Sequence, residues 1–293
     1  MQSFFSNKKA IAIFVLPSLL LFTIIVFYPL AQIFIKSFYD WNGLSKGTFI
    51  GLENYTRLFE DTTFKISIKN GLIFAAFLTI YQIGLGTVLA FAASNIKTKA
   101  GGFFRIVYFL PVVLSVTVVC QLWLSVFNSE YGLLNKIFEM IGMAFSQDWL
   151  SERDNAIYVV AFVNAWHYLG YQFALILAGI KSIPSHYYEA AQIDGASPFQ
   201  AHLKITVPML AETYRFCLVL AITGGLNAFT QMFIMTNGGP GTSTYTLTYM
   251  MYSSAFRATE YGYGMAAASF LVIECLIATI VINKLIAKEN IVY

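Results

Sequence analysis

The stretch AFVNAWHYLGYQFALILAGI occupies residues 161–180 and contains no Asp, Glu, Lys or Arg. A run of about 20 mostly apolar residues is long enough to cross the roughly 30 Å hydrocarbon core of a bilayer as a helix. Because backbone groups cannot stay unpaired in lipid, the stretch predicts a membrane-spanning α-helix. Its polar side chains Asn164, Tyr168 and Gln172 recur every four residues, so they lie along one helical face.

The same apolar pattern recurs along the chain of 293 residues. The predicted spans are residues 10–30, 71–93, 106–127, 156–180, 216–236 and 263–283. Only 11% of the chain is charged and its mean hydropathy is +0.66, whereas soluble domains carry about 25% charged residues. We therefore predict an all-α integral membrane protein with six transmembrane helices. It forms one domain over 1–293, with an N-terminal helix at 10–30 and core helices over about 71–283.

The first apolar run, residues 10–30, could be mistaken for a secretory signal. It is longer than the 7–15 residues of a signal-peptide core, so we expect a retained helix. Lys and Arg are denser in the loops on its N-terminal side of the membrane than in the loops opposite. This bias predicts that the N-terminus and the C-terminus are both cytoplasmic.

Several classes of function lack the residues that they need. The chain has no G-x-x-x-x-G-K-[ST] phosphate loop and no H-E-x-x-H metal motif, so we expect no ATP, cofactor or metal bound by this chain and no enzyme activity. Its three cysteines fall in apolar segments without metal-ligand spacing. The net charge of +3, without a basic run, does not predict nucleic-acid binding.

Uncharged amides interrupt two of the spans. Asn164 and Gln172 share a face with Tyr168 in the fourth span, and Asn227 and Gln231 are four residues apart in the fifth. Amides hydrogen-bond to hydroxyls and aromatic rings stack on C–H faces, so this set suits a neutral polyhydroxylated solute. Alternatively, the amides bond only to neighbouring helices, at about 1 kcal/mol or less each.

One carboxylate lies inside a predicted span. An ionisable residue in the membrane is a functional candidate, so Glu274 could couple transport to a proton or cation. It could equally be protonated and hydrogen-bonded to another helix. An ion-coupled secondary transporter that uses Glu274, and a membrane scaffold without transport, therefore stay open alternatives.

A polar segment, YYEAAQIDGASPFQAHLKITVP, joins the fourth and fifth spans at residues 187–208. Ser185 is placed to cap a helix over about 185–196, and Gly195 can supply the positive φ that ends it. Ser197 and Pro198 are typical of the start of a second helix. We predict a helix, a glycine turn and a helix on the cytoplasmic face, suited to docking on a partner.

This segment resembles the EAA signature of bacterial ATP-binding-cassette (ABC) importer permeases: E-A-A, three residues, G, nine residues, I-x-L-P. The matching positions are Glu189, Ala190, Ala191, Gly195, Ile205 and Pro208, with Val207 in place of Leu. YPLAQIFIKSFYDWNG and MTNGGPGTSTYTLTYMMYSSAF are similar to the carbohydrate-uptake branch, the maltose-transporter-like permeases. The resemblance implies the type I ABC importer permease (MetI-like) fold and a subunit of an ATP-driven sugar importer in a bacterial cell membrane.

The resemblance also implies partners and site residues. The partners would be a second homologous permease subunit in a heterodimer, two ATPase subunits that hold ATP and Mg, and an extracytoplasmic solute-binding protein that delivers a carbohydrate. The residues implied for coupling to the ATPase are Glu189, Ala190, Ala191, Asp194, Gly195 and Pro208. Those implied for the substrate pathway include Leu169, Gly170, Phe173 and Asn227, while Gly224 and Gly225 stand where relatives can carry larger groups.

Overall fold

A computed structural model describes residues 8–94, 99–143 and 147–286. The described residues are mainly helical, with one two-stranded antiparallel hairpin. The helices are α1 (Lys8–Phe22), α2 (Tyr28–Lys36), α3 (Glu53–Glu60), α4 (Thr62–Ser94), α5 (Lys99–Val113), α6 (Val116–Val126), α7 (Leu133–Met140), α8 (Ala156–Ser182), α9 (His186–Ile193), α10 (Pro198–Ala201), α11 (Val207–Met209), α12 (Ala211–Leu226), α13 (Leu247–Tyr252) and α14 (Tyr261–Ile286). The strands are β1 (Tyr39–Asp40) and β2 (Thr48–Phe49). Short π-helical turns lie at Thr23–Phe27, His202–Thr206, Met232–Thr236 and Ser253–Arg257.

Among the described residues, four helices are long and apolar enough to cross a membrane without a break. They are Ile11–Lys36, Thr62–Ser94, Ala156–Ser182 and Tyr261–Ile286. Two further pairs pass the same test but are sharply bent, by 98° between α5 and α6 and by 67° between Pro198–Met209 and α12. Counted with each bent pair as one span, the described residues give six spans, the number that the sequence predicts.

The third predicted span, 106–127, is not one continuous helix. The chain breaks after α5, where Ser115 is extended with φ −63° and ψ 138°. The break leaves the carbonyl of Leu114 without a helical partner, and the ring Nε2 of His167 on α8 lies 3.1 Å from that oxygen. A neighbouring helix thus satisfies the freed backbone group, which is how broken helices persist at membrane depth.

The second half of the fifth predicted span, 216–236, is wrong, because this helix is also interrupted. Helix α12 begins earlier, at Ala211, and ends at Leu226. Beyond that end, the carbonyl of Ala228 accepts hydrogen bonds from the hydroxyls of Thr248, at 2.6 Å, and Thr246, at 3.4 Å. These donors come from a distant part of the chain, so the apolar pattern alone could not reveal the break.

The segment between α8 and α12 matches most of its prediction. Helix α9 ends at Ile193, and Gly195 follows two residues later with a φ of +76°, the left-handed conformation expected there. Ser197 caps α10 by accepting a hydrogen bond from the Gln200 backbone, and Gln200 reciprocates. The predicted Ser185 cap is wrong, because Ser185 has helical backbone angles and its side chain makes no cap hydrogen bond.

The chain divides into two compact units. The first consists of residues up to Asp61 together with Met251–Phe270, and the second consists of Thr62–Met250 with the remainder of α14.

Within the first unit, polar contacts fasten the amphipathic helix α3. The Tyr55 hydroxyl lies 2.7 Å from the Ser37 hydroxyl and 2.9 Å from that of Ser269. Arg57 forms an ion pair with Glu260 at 2.8 Å, and this hydrogen bond raises the pKa of the Arg57 guanidinium. Tyr55 and Arg57 therefore hold α3 to Ser269 of α14 and to Glu260, the residue that precedes α14.

Within the second unit, α4, α8 and α12 pack closely around buried apolar side chains, including Phe74, Val160 and Met232. Gly225 allows a close approach of α12 to α4: a Cβ built there would lie 2.7 Å from Cα of Ala75 on α4. The glycine therefore lets the backbones of α12 and α4 come together, and this contact sets the width of the space beside them.

Candidate functional site

A cavity of about 360 Å³ lies in the second unit beside α4, α8 and α12. We call it the amide cavity because five amide side chains line it. These are Gln82, Asn164, Gln172, Asn227 and Gln231. The other lining residues are Leu78, Val116, Tyr168, Tyr171, Leu220, Ala221, Gly224, Ala228, Phe229 and Thr230.

The amide cavity unites residues that the sequence analysis placed on two separate spans. Asn164, Tyr168 and Gln172 reach it from α8, while Asn227 and Gln231 reach it from beyond the end of α12. The break after Leu226 brings this about, because Asn227 is the C-cap of α12 and lies in the same wall as Gly224. The sequence predicted that Asn227 and Gln231 lie on one face of a continuous fifth helix. In the structure they lie beyond the end of α12 and line the cavity.

Sequence reasoning missed Gln82, which α4 contributes to the cavity. A signal was present, since Gln82 is the only amide within the apolar run 71–93. It was missed because the span 71–93 was predicted from its hydropathy alone. The residue is 3% exposed in the structure, so a polar group is buried at the cavity wall.

Gln172 combines one weak hydrogen bond with a buried polar atom that has none. Its Nε2 donates weakly to the carbonyl of Cys217 at 3.4 Å, and its Oε1 is buried without any hydrogen-bond partner in the described part of the chain. An unsatisfied buried acceptor costs about 1–3 kcal/mol. The wall of the cavity therefore contains an amide oxygen whose hydrogen-bonding capacity the described residues leave unused.

Asn227 offers a second polar group with a different partner set. Its Nδ2 donates to the carbonyl of Thr223 at 2.8 Å and lies 3.3 Å from Sγ of Cys275. The side chain is exposed, so its carbonyl oxygen remains accessible from the cavity. Among the described lining residues none carries a formal charge, and the arrangement therefore suits a neutral solute with hydroxyl groups.

Leu169, Gly170 and Phe173 do not line the amide cavity, although the family resemblance implied a substrate role for them. Leu169 is buried, and the ring of Phe173 packs edge-on against Tyr108 with centroids 5.5 Å apart. A Cβ on Gly170 would collide with the backbone of Tyr108, so this glycine serves the contact between α8 and α5. Their substrate role stays a prediction, whereas their packing role is evident.

The two glycines of α12 face in different directions. A Cβ added to Gly224 meets nothing within 4 Å and would point into free space at the cavity wall, whereas one on Gly225 would strike α4. Only Gly224 therefore leaves room in the cavity that a larger side chain would fill.

Glu274 does not line the amide cavity. It is partly buried on α14, and the hydrogen bond to another helix that was one expectation is not found among the described residues. Its neighbour Cys275 contacts Asn227 instead. Glu274 is thus adjacent in sequence to a residue that contacts the cavity lining, but its own carboxylate does not line the cavity.

Helix α9, which carries the EAA residues, is exposed along its length and contributes no buried residue to this chain. The side chains of Ile193 and Phe199 are 87% and 73% exposed. Large apolar side chains that protrude from a short, otherwise polar element indicate an interaction surface. Glu189, Ala190, Ala191 and Asp194 lie on or directly after this helix, and Pro208 lies in α11.

A partly buried set of side chains connects α9 to helix α4. The Tyr188 hydroxyl lies 2.9 Å from Oγ1 of Thr206, which also lies 3.1 Å from Nδ1 of His202. The ring of His202 stacks on Phe91 of α4, with centroids 4.9 Å apart. We call these four residues the Thr206 relay. It links the exposed helix to the same α4 that carries Gln82.

Comparison with known proteins gives consistent matches over most of the chain. Residues 82–290 match the family described as "Binding-protein-dependent transport system inner membrane component". A probable ABC transporter permease protein, YurN of Bacillus subtilis, is 36% identical over 91% of this chain and 92% of its own length. The multiple sugar-binding transport system permease protein MsmF of Streptococcus mutans is 34% identical over 94% of each chain.

Solved structures match the fold as well. A chain of the bacterial alginate ABC transporter, crystallised with an alginate pentasaccharide-bound periplasmic protein, superposes with a TM-score of 0.84. The match covers 95% of this chain and 94% of that one at 22% sequence identity. At this identity, the match shows a shared fold and no more.

Proposed function

Because this chain belongs to the family of inner-membrane components of binding-protein-dependent transport systems, we propose that it imports a neutral sugar or short oligosaccharide as one half of an ATP-driven permease. Members of this family are permease subunits of ABC transporters and not enzymes. The proposal concerns the solute, the coupling surface and the partners.

The amide cavity is the observation that carries the choice of solute. Amide groups can both donate to and accept from sugar hydroxyls, and Tyr168 and Tyr171 offer ring faces beside them. The unpartnered Oε1 of Gln172 favours a hydroxyl donor at that point. A cavity without a cation or a carboxylate in its lining gives no counter-charge for a phosphate or a uronate.

The relatives support a carbohydrate. MsmF is named for multiple sugar binding, and NgcF of Streptomyces coelicolor, 31% identical over 85% of this chain, is a diacetylchitobiose uptake permease. UgpA of Agrobacterium fabrum, at 31% identity, is named for sn-glycerol-3-phosphate. The uncharged cavity favours the neutral sugars among these alternatives.

Helix α9 is the proposed coupling surface. Its exposed position and protruding Ile193 suit a groove on a separate ATPase subunit, with Glu189 and Gly195 as the residues that fix docking and the turn. The chain has no phosphate loop, so ATP and Mg would be held by two such partner subunits. A second homologous permease and an extracytoplasmic solute-binding protein complete the proposed complex.

The basic residues of the loops support an orientation with both termini and α9 in the cytoplasm. The first span leaves a surface open to a second permease subunit: none of its most apolar window is buried in this chain, against 61% of the window in α8. A helix that is apolar on all sides and uncovered by its own chain must be covered by lipid or by another subunit.

The experiment is to purify the chain with its co-expressed subunits and to measure solute-stimulated ATP hydrolysis and uptake in vesicles. Gln172→Ala should lower uptake about tenfold or more, because it removes a cavity-lining amide whose buried oxygen has no partner among the described residues. Gln121→Ala is the matched control, since Gln121 is an exposed amide on α6 outside the cavity.

Two outcomes would contradict the proposal. Equal uptake by the Gln172 variant, the Gln121 variant and the wild type would remove the cavity from the pathway. Uptake that is abolished by a protonophore while ATP is maintained would favour the ion-coupled alternative through Glu274.

A further inference from the structure

A second hollow of the second unit is a groove between α5 and α8, with a volume of about 280 Å³. Arg105 of α5 and Lys181 of α8 line it, and its other lining residues are apolar. We call it the basic groove. It is separate from the amide cavity, since the two have no lining residue in common.

The two cations of the basic groove have no carboxylate partner in the part of the chain that the structure describes. Neither Arg105 nor Lys181 forms an ion pair among the described residues. The Nε of Arg105 is buried and lacks any hydrogen-bond partner there. A buried guanidinium nitrogen without an acceptor is costly, so an anionic acceptor at this point would stabilise the site.

The rest of the groove is built for hydrocarbon. Ala174 and Ala178 are one turn apart on α8 and form a shallow floor, while Phe109 and Leu177 form the sides. Ala174 precedes Lys181 by seven residues, so the apolar floor extends about 10 Å along α8 from the lysine. A ligand that fits must carry a negative head and an apolar tail.

The location agrees with that chemistry. Lys181 is the penultimate residue of α8, a helix that can cross the membrane, so the cations lie near a bilayer boundary. The loop charges predict that this boundary is the cytoplasmic one. Basic pockets between transmembrane helices on that side are typical sites for anionic lipid headgroups.

We propose that the basic groove binds an anionic phospholipid, with its phosphate between Arg105 and Lys181 and one acyl chain along Ala174 and Ala178. The inference requires only that the chain spans a membrane and does not depend on the identity of the solute.

The test is native mass spectrometry of the full chain, purified with the subunits that co-purify with it. The complex is titrated with phosphatidylglycerol or with phosphatidylcholine of the same acyl chains. Each interfacial cation contributes about fivefold to the attraction of an anionic lipid. The double variant Arg105→Gln/Lys181→Gln should therefore lose roughly 30-fold in its preference for phosphatidylglycerol.

Two further variants separate charge from shape. Lys284→Gln is the matched control, because Lys284 is an exposed lysine near the end of α14 and outside the groove. Its preference should equal that of the wild type. Ala178→Leu keeps both cations but fills the floor, and it should also weaken phosphatidylglycerol binding severalfold.

Four results would overturn the proposal. They are equal binding of both lipids by the wild type, an equal loss in the Lys284 variant, unchanged binding in the Ala178 variant, and displacement of the lipid by excess inorganic phosphate. The last result would mean that the cations take a free anion. Phosphatidylglycerol bound by the isolated chain but excluded from the complex would also refute it, because a partner subunit would then cover the groove.

Discussion

The neighbouring glycines Gly224 and Gly225 allow the packing of α12 to be tested with a matched pair of variants. Replacement of Gly225 by Ala would place a methyl group 2.7 Å from Cα of Ala75 and 3.0 Å from its Cβ. Both contacts are shorter than normal van der Waals separation, and one of them involves backbone, so the helices must move apart. Gly224→Ala adds the same methyl group where no atom lies within 4 Å.

The pair isolates the cost of the helix contact. Both substitutions gain the same helix propensity, up to about 1 kcal/mol for Gly to Ala in a helix interior. Overpacking a close contact costs about 1–3 kcal/mol. The Gly225 variant should therefore be less stable than the Gly224 variant by about 1–3 kcal/mol, with the propensity gain cancelling between them.

The assay is thermal unfolding of the purified complex, followed by fluorescence-detected size exclusion after heating. At roughly 2–4 °C per kcal/mol, the Gly225→Ala complex should melt about 2–12 °C below the Gly224→Ala complex. Equal melting temperatures would refute the close approach of α12 to α4. A lower melting temperature for the Gly224 variant would refute the assignment of which glycine faces the cavity.

Three other predictions concern coupling and the membrane carboxylate. Thr206→Val removes both side-chain hydrogen bonds of the Thr206 relay, about 1 kcal/mol each, and should raise the ATP hydrolysed per solute transported. Thr79→Val, whose hydroxyl bonds to its own helix, should leave that ratio unchanged, and equal ratios in both variants would contradict the relay. Gly195→Val forces a β-branched residue to a φ of +76°, a strain of about 1–3 kcal/mol. Solute-stimulated ATPase activity should therefore fall severalfold. Wild-type activity in this variant would argue against a required turn. Glu274→Gln should keep at least half of the uptake, because the side chain lies outside the cavity; loss of uptake with normal ATPase activity would revive ion coupling.

Local patterns were sufficient for much of this protein. Apolar runs of about 20 residues identified where the chain crosses the membrane, since lipid allows few alternatives to a helix. The turn at Gly195 and the restart at Ser197 followed from conformational and capping preferences that act within a few residues. Polar side chains at four-residue spacing pointed to one face of α8, and Asn164, Tyr168 and Gln172 do share a cavity.

The remaining features depend on contacts between residues far apart in sequence. The breaks after Val113 and Leu226 exist because His167 and Thr248 satisfy the carbonyls that each break frees, 53 and 20 residues away. Hydropathy measures how well a segment dissolves in lipid and contains no information about such donors.

The amide cavity also depends partly on local sequence patterns and partly on contacts between distant residues. The sequence by itself determined that the chain is a six-span membrane protein with polar groups in two spans and an exposed EAA element. Only the tertiary structure decided that Gln82 joins those polar groups, that Gly170 and Phe173 face α5, and that Gly224 faces the hollow. The physical reason is that side-chain direction along a helix is local, whereas the neighbour it meets is set by how whole helices pack.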